Sequence, residues 1–149
     1  MSRVQLALRV GDLDAAVDFY RRFFGAEPAK RRPGYANFAI ADPPLKLVLI
    51  EGRTGEPTRM DHLGVEVADT AAVRAAAKRL DAAGLLEAVE DNTTCCYAVQ
   101  DKVWARGPGD EPWEVYTVLA DAPQSTELNP ANGAGDACCG STEATVGCC

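Results

Sequence analysis

The chain repeats its own beginning. Val4-Gln5-Leu6-Ala7-Leu8-Arg9-Val10, followed by Asp12 and a helical run, returns as Asp61-His62-Leu63-Gly64-Val65-Glu66-Val67, followed by Asp69 and a second helical run. Gln5 and His62 stand 57 residues apart, and so do Asp12 and Asp69. Such a match suggests a duplicated module whose two halves face each other across one site.

Local patterns extend the repeat. Residues 3–10 alternate apolar and non-apolar, the mark of a half-buried strand. Asp12 is an N-cap for a helix over Leu13 to Phe24 that Gly25 ends. Strands are expected at about 26–31, at Tyr35 to Ala41 and at Leu45 to Glu51, with turns at Pro33-Gly34 and Pro43-Pro44. Gly52 to Arg59 is polar and reads as a linker. The second half gives a strand over His62 to Val67 and a helix over about Thr70 to Ala83, closed by Gly84. Strands at about 86–90, 95–100, 102–106 and 113–119 complete it. Pro44 to Ile50 resembles Pro112 to Val118, so the last strands repeat too. The expected fold class is α+β, with two tandem βαβββ modules at about 3–51 and 61–119 inside a domain of 1–120.

Composition narrows the function classes. A length of 149 residues suits one domain, and 47% hydrophobic content can bury a core. A net charge of −7 argues against a nucleic-acid binder, which needs a basic face. The aliphatic run Leu47 to Ile50 is far too short to span a bilayer. Met1 to Val10 alternates where a signal peptide would be an apolar block, so a cytoplasmic protein is expected. Beyond Ala120 large apolar residues almost vanish. Residues 121–149 are expected to form a flexible, Cys-containing tail that cannot offset its ordering entropy by burial.

All six cysteines come as adjacent pairs: Cys95-Cys96, Cys138-Cys139 and Cys148-Cys149. Neighbouring α-carbons sit about 3.8 Å apart, below the usual disulfide range. In a reducing compartment such pairs look more like soft-metal ligands than staples. Consecutive strand residues point to opposite faces, so Cys95 and Cys96 must lie in a loop, bulge or strand end to act together. Asp91 to Thr94 offers an irregular stretch just before them. The bland alternative is two small buried strand residues. For the later pairs, a metalloid collector stands against a variable tail of no function.

Strand parity picks out candidate metal ligands. Leu6, Leu8 and Val10 share one face of the first strand, and Gln5, Ala7 and Arg9 share the other. In the repeat, His62, Gly64 and Glu66 oppose Leu63, Val65 and Val67. On the last strand Glu114 and Tyr116 point one way, and Trp113 and Val115 the other. A sheet curved around the polar face would bring Gln5, His62 and Glu114 together. Imidazole and carboxylate suit a divalent first-row metal, and three ligands on one side leave open positions. Gln5 offers only a neutral amide oxygen, so affinity should be lower than for two histidines and a carboxylate. A hydrogen-bonded or surface histidine and an exposed strand-face glutamine are the bland alternatives.

This pattern resembles the vicinal oxygen chelate superfamily, which includes glyoxalase I, extradiol dioxygenases and bleomycin-resistance proteins. It is most similar to the organoarsenical carbon–arsenic lyase branch, also called cadmium-induced or glyoxalase-like proteins. Arg3 to Val10, Arg32 to Phe38, Leu45 to Glu51, Asp61 to Val67, Thr94 to Trp104 and Glu111 to Tyr116 carry the resemblance, over about 1–120. The block Cys95-Cys96-Tyr97-Ala98-Val99-Gln100-Asp101-Lys102 is its most specific part.

The resemblance implies a curved mixed sheet around a metal site. It implies a non-haem Fe(II) dioxygenase that uses dioxygen to cleave the carbon–arsenic bond of trivalent organoarsenicals such as methylarsenite. Gln5, His62 and Glu114 would hold the iron, and Cys95 and Cys96 would capture arsenic. Glutamine in place of a first histidine departs from the common superfamily triad. The expected partner is a small-molecule organoarsenical, with no nucleic acid and no membrane, on a monomer or homodimer. A non-catalytic arsenic- or cadmium-binding protein and a glyoxalase-type metalloenzyme are the competing functions.

Overall fold

The computed structural model describes residues 2–123. Cys138-Cys139 and Cys148-Cys149 lie outside the described residues, as does the expected tail from 124 onward. The chain divides into two compact units, one of Arg3–Leu63 and one that holds Gly64 onward.

The first unit runs β1 (Arg3–Val10), α1 (Leu13–Phe24), β2 (Lys30–Arg32), β3 (Tyr35–Ile40) and β4 (Leu45–Glu51), and it includes the start of β5 (Arg59–Glu66). Its strands lie in the order β2-β3-β4-β1-β5. β1 pairs with β4 in parallel, with Gln5 opposite Lys46, while β2, β3 and β4 pair antiparallel. The Asp12 carboxylate accepts from Ala15 N at 2.9 Å, a cap that stabilises a helix by about 1 kcal/mol. Gly25 ends α1 in the left-handed region at φ 62, where a side chain would be strained. Leu13 and Val17 of α1 pack on Phe38, Leu47 and Leu49, with Leu6 and Leu8 against them. The aliphatic face of β1 therefore meets the helix, as parity requires, and Gln5 stands on the other face.

The second unit contains the end of β5, α2 (Thr70–Ala82), β6 (Ala88–Cys95), β7 (Ala98–Arg106) and β8 (Pro112–Asp121). β7 lies between β8 and β6 and pairs antiparallel with both. Asp69 caps α2 as Asp12 caps α1, accepting from Ala72 N at 2.8 Å. Val73, Ala76 and Leu80 of α2 pack against Val103 of β7 and Val115 of β8. The odd-numbered face of β7 is thus the helix face. Its even-numbered residues Gln100, Lys102 and Trp104 point the other way and are still buried.

The order βαβββ occurs twice, as expected, and several boundaries differ. The strand expected at 26–31 is only Lys30–Arg32, because Pro28 has no N–H to give a ladder. β5 starts at Arg59, three residues before the expected His62, and the buried Asp61 finds Arg9 of β1 as its partner. The strands expected at 95–100 and 102–106 are one strand, and Cys95 ends β6 instead. β8 continues past 119 to Asp121, where it pairs with Ala98.

Candidate functional site

In the first unit, Gln5 and His62 come together. The Gln5 amide nitrogen lies 3.0 Å from Nε2 of His62, and the two residues are 4% and 2% exposed. Neither occupies an exposed strand face. Nδ1 of His62 lies 2.7 Å from Oδ2 of Asp61, and a carboxylate can only accept, so Nδ1 carries the proton. Nε2 is then the lone-pair nitrogen of the ring, turned toward Gln5. The other oxygen of Asp61 accepts from Arg9 Nε at 2.6 Å. Arg9, Asp61 and His62 form a relay in which a cation holds a carboxylate and the carboxylate fixes an imidazole tautomer. Carboxylate–imidazole pairs of this kind orient metal-binding histidines.

The Gln5–His62 spacing suits two ligands of one ion. Donor atoms each about 2.1 Å from a metal and at a right angle to each other are about 3.0 Å apart. A half-turn of the Gln5 amide puts its oxygen where its nitrogen now stands, at no steric cost. Among the described residues no three His, Cys, Asp or Glu side chains form a metal cluster. A set built on Gln5 would contain only two residues of those types.

Glu114 stands in the second unit, on β8, 2% exposed. Lys102, fully buried on β7, donates from Nζ to Oε2 of Glu114 at 3.0 Å. The same ammonium lies 5.3 Å from the ring centroid of Trp104, which is the direct cross-strand partner of Glu114. Dry ion pairs are poor stabilisers, because desolvating both charges offsets their attraction. Fully buried, this one needs a reason other than stability. Tyr116, two residues along the same face, donates its hydroxyl to Glu66 at 3.1 Å.

Cys95 and Cys96 act as a pair in space. Cys95 closes β6, and Cys96-Tyr97 form the two-residue turn into β7, with Cys95 opposite Ala98. Both turn residues have positive φ, 49 and 63, as hairpin turns of the mirror-image class require. Glycine and asparagine usually take such positions, since a left-handed residue costs roughly 1–2 kcal/mol. Here the turn breaks the strand alternation and brings the two sulfurs to 3.4 Å, with neither in a disulfide. The chain after β8 supports this turn, because Ala122 N donates to Tyr97 O at 2.9 Å. The irregularity expected at Asp91 to Thr94 is present as a register shift between Glu90 and Thr93. That bulge is tied to Asp101, which accepts from Asn92 N at 2.8 Å and from the Thr70 hydroxyl at 2.5 Å. The Thr70 bond first, and the Asn92 bond next, hold the Asp101 carboxyl below its ordinary value.

Cys95 packs on Trp104, with Cys96 and Ala88 beside them. Within the second unit a continuous path therefore runs from the thiols through Trp104 and Lys102 to Glu114. Sequence reasoning missed Asp61, Arg9, Lys102 and Trp104. Only the odd–even parity of residues 98–104 could have pointed to the last two.

Residues 3–115 match the Glyoxalase/Bleomycin resistance protein/Dioxygenase superfamily. The chain belongs to that superfamily. Within it, the chain is 59% identical to the trivalent organoarsenical cleaving enzyme of Thermomonospora curvata, over the full length of both proteins. It is 65% identical to the cadmium-induced protein CadI of Mycobacterium tuberculosis over 122 residues, 82% of this chain and 80% of that protein. The resemblance drawn from the residues around Cys95 and Glu114 therefore holds. Among solved structures of the superfamily fold, the 2,3-dioxygenase LapB of Pseudomonas sp. KL28 superposes with a TM-score of 0.62 at 22% identity. That match covers 87% of this chain and 45% of the other, and speaks for the fold alone. Among the described residues no helix is long and apolar enough to cross a membrane.

Proposed function

We propose that this protein is an Fe(II)-dependent dioxygenase that cleaves the carbon–arsenic bond of trivalent organoarsenicals and releases inorganic arsenite. The observation that carries this reading is the thiol pair of Cys95 and Cys96, 3.4 Å apart on a turn that brings both sulfurs to one side. Two sulfurs each about 2.3 Å from one centre, at a roughly right-angled apex, are about 3.3 Å apart. Soft trivalent arsenic prefers thiolate to harder donors. Capture of methylarsenite, CH3As(OH)2, forms two arsenic–sulfur bonds, and the two thiol protons leave with the two hydroxyls as water.

Gln5, His62 and Glu114 are the residues we assign to iron. Nε2 of His62, prepared by Asp61, the Gln5 amide oxygen and the Glu114 carboxylate are hard or borderline donors that fit a divalent first-row cation. When bound, iron supplies the activation of dioxygen that side chains alone cannot perform. The chain's own residues hold and orient. Asp61 keeps His62 in the binding tautomer, Lys102 fixes one oxygen of Glu114, and the thiols hold arsenic in one position. The 59% identical relative, named for cleaving trivalent organoarsenicals, supports the substrate class and the bond cleaved. A cytoplasmic location fits thiols that must stay reduced.

A sequestering role is the competing reading, favoured by a half-buried Cys96 that a soft cation could reach without any metal partner. Substitutions separate the two. Glu114→Ala should abolish arsenite release and leave methylarsenite binding intact, whereas Cys95→Ser with Cys96→Ser should abolish both. Resistance of cells to methylarsenite that survives Glu114→Ala would favour the binder.

A further inference from the structure

We propose that Trp104 determines specificity in the thiol site, as the wall against which the carbon substituent of a captured arsenical lies. This rests on the organoarsenical reading above and names the part of the site that senses the organic group.

Cys95 and Trp104 are each 2% exposed and share one buried cluster with Cys96 and Ala88. An arsenic centre bonded to both thiols sits about 2.3 Å from the sulfur of Cys95, a residue that packs in one cluster with Trp104. Its third bond, to carbon, starts beside that ring. The neighbours of the ring grade from apolar to charged. Its cross-strand partner on β6 is Ala88, a single methyl, and its partner on β8 is Glu114. The Lys102 ammonium lies 5.3 Å from its centroid. An apolar substituent is favoured on the thiol side, where the ring's neighbour is the small side chain of Ala88. An aryl group demands that the indole give way. Trp104 thus reads the carbon, while the cysteines read the arsenic.

The test uses the full chain, reduced and free of metal, so that binding is measured without turnover. Trp113→Phe leaves Trp104 as the only indole, since the chain has two tryptophans. Methylarsenite should then change Trp104 fluorescence in this background, and should fail to do so after Cys95→Ser with Cys96→Ser. Calorimetry compares methylarsenite, phenylarsenite and inorganic arsenite, which has no carbon. Trp104→Ala should weaken methylarsenite about 10-fold or more relative to phenylarsenite, the scale on which apolar pockets discriminate. Arsenite affinity should stay unchanged.

Trp104→Phe keeps an aromatic wall and should shift the same ratio in the same direction by a smaller factor, so the test stands even if the alanine variant does not fold. A parallel loss for all three ligands would overturn the proposal and leave Trp104 as packing for the thiols. An unchanged methyl-to-phenyl ratio would overturn it too. A protein that binds with this selectivity yet never releases arsenite when loaded with iron would sink the enzymatic reading alone. Failure of all three arsenicals to bind would sink both.

Discussion

Asp61 and His62 are chain neighbours joined through their side chains, Oδ2 to Nδ1 at 2.7 Å, and this contact decides which ring nitrogen faces Gln5. The carboxylate is itself held by Arg9 from β1. A ring fixed in this way needs no reorientation to bind a cation.

Asp61→Asn should therefore weaken metal binding without moving any of the three proposed ligands. Outer partners of metal-binding histidines typically contribute about 10–100-fold in affinity. Anaerobic Fe(II) titration of the variant is expected to show a loss in that range. An unchanged affinity would mean that Asp61 serves only Arg9.

Lys102→Met should destabilise the metal-free protein by roughly 3–5 kcal/mol, because it leaves Glu114 buried without its cation. Lys102→Met with Glu114→Gln should recover much of that loss. A double-mutant cycle by urea unfolding measures the coupling. Additive losses would show that the 3.0 Å contact carries no energetic link.

Asp101 gives a pH-dependent prediction. Its folded pKa is held below the ordinary value by the Thr70 hydroxyl and the Asn92 N–H. The resulting stability is fully present above the unfolded pKa of about 3.9 and is lost as pH falls through the lower folded value. Asp101→Asn should cost about 1.5–3 kcal/mol at neutral pH, the range for hydrogen bonds to a charged group. The gap from the parent protein should narrow as the pH falls below about 4, followed by chemical denaturation at each pH. A gap independent of pH would contradict the assignment.

Much of this site was legible because β-strand alternation is a rule of geometry. Parity alone separated Gln5 from Leu6, His62 from Leu63, and Glu114 from Trp113, and the repeat made the first two equivalent. Lys102 was not legible. Asp101 falls in the gap between the strands expected at 95–100 and 102–106, and the burial of Asp101 and Lys102 depends on partners elsewhere: Thr70 for Asp101 and Glu114 for Lys102. The turn at Cys96-Tyr97 was hidden for a different reason. It contains no glycine, asparagine or proline, so its left-handed residues give no local signal. Asp61 stood just outside the strand expected from His62, and its role was not legible because an aspartate at a strand end reads as exposed until Arg9 is placed beside it.

Cys95→Ser and Cys96→Ser should each lower methylarsenite affinity, since one remaining thiolate cannot chelate. The single variants should lose most of the affinity, with little left for the double variant to lose, because chelation depends on both sulfurs together. Calorimetry on the metal-free, reduced protein measures this. Two independent, additive losses would mean that the sulfurs do not share one arsenic.

The most direct measurement follows arsenic species and dioxygen together. Protein loaded anaerobically with Fe(II) and given methylarsenite should hold the arsenical without releasing arsenite until oxygen is admitted. Arsenite should then appear over repeated turnovers as oxygen is consumed. Methylarsenite that stays bound and unchanged under air, in an iron-loaded and reduced protein, would contradict the enzymatic reading and leave a metalloid-binding protein in its place.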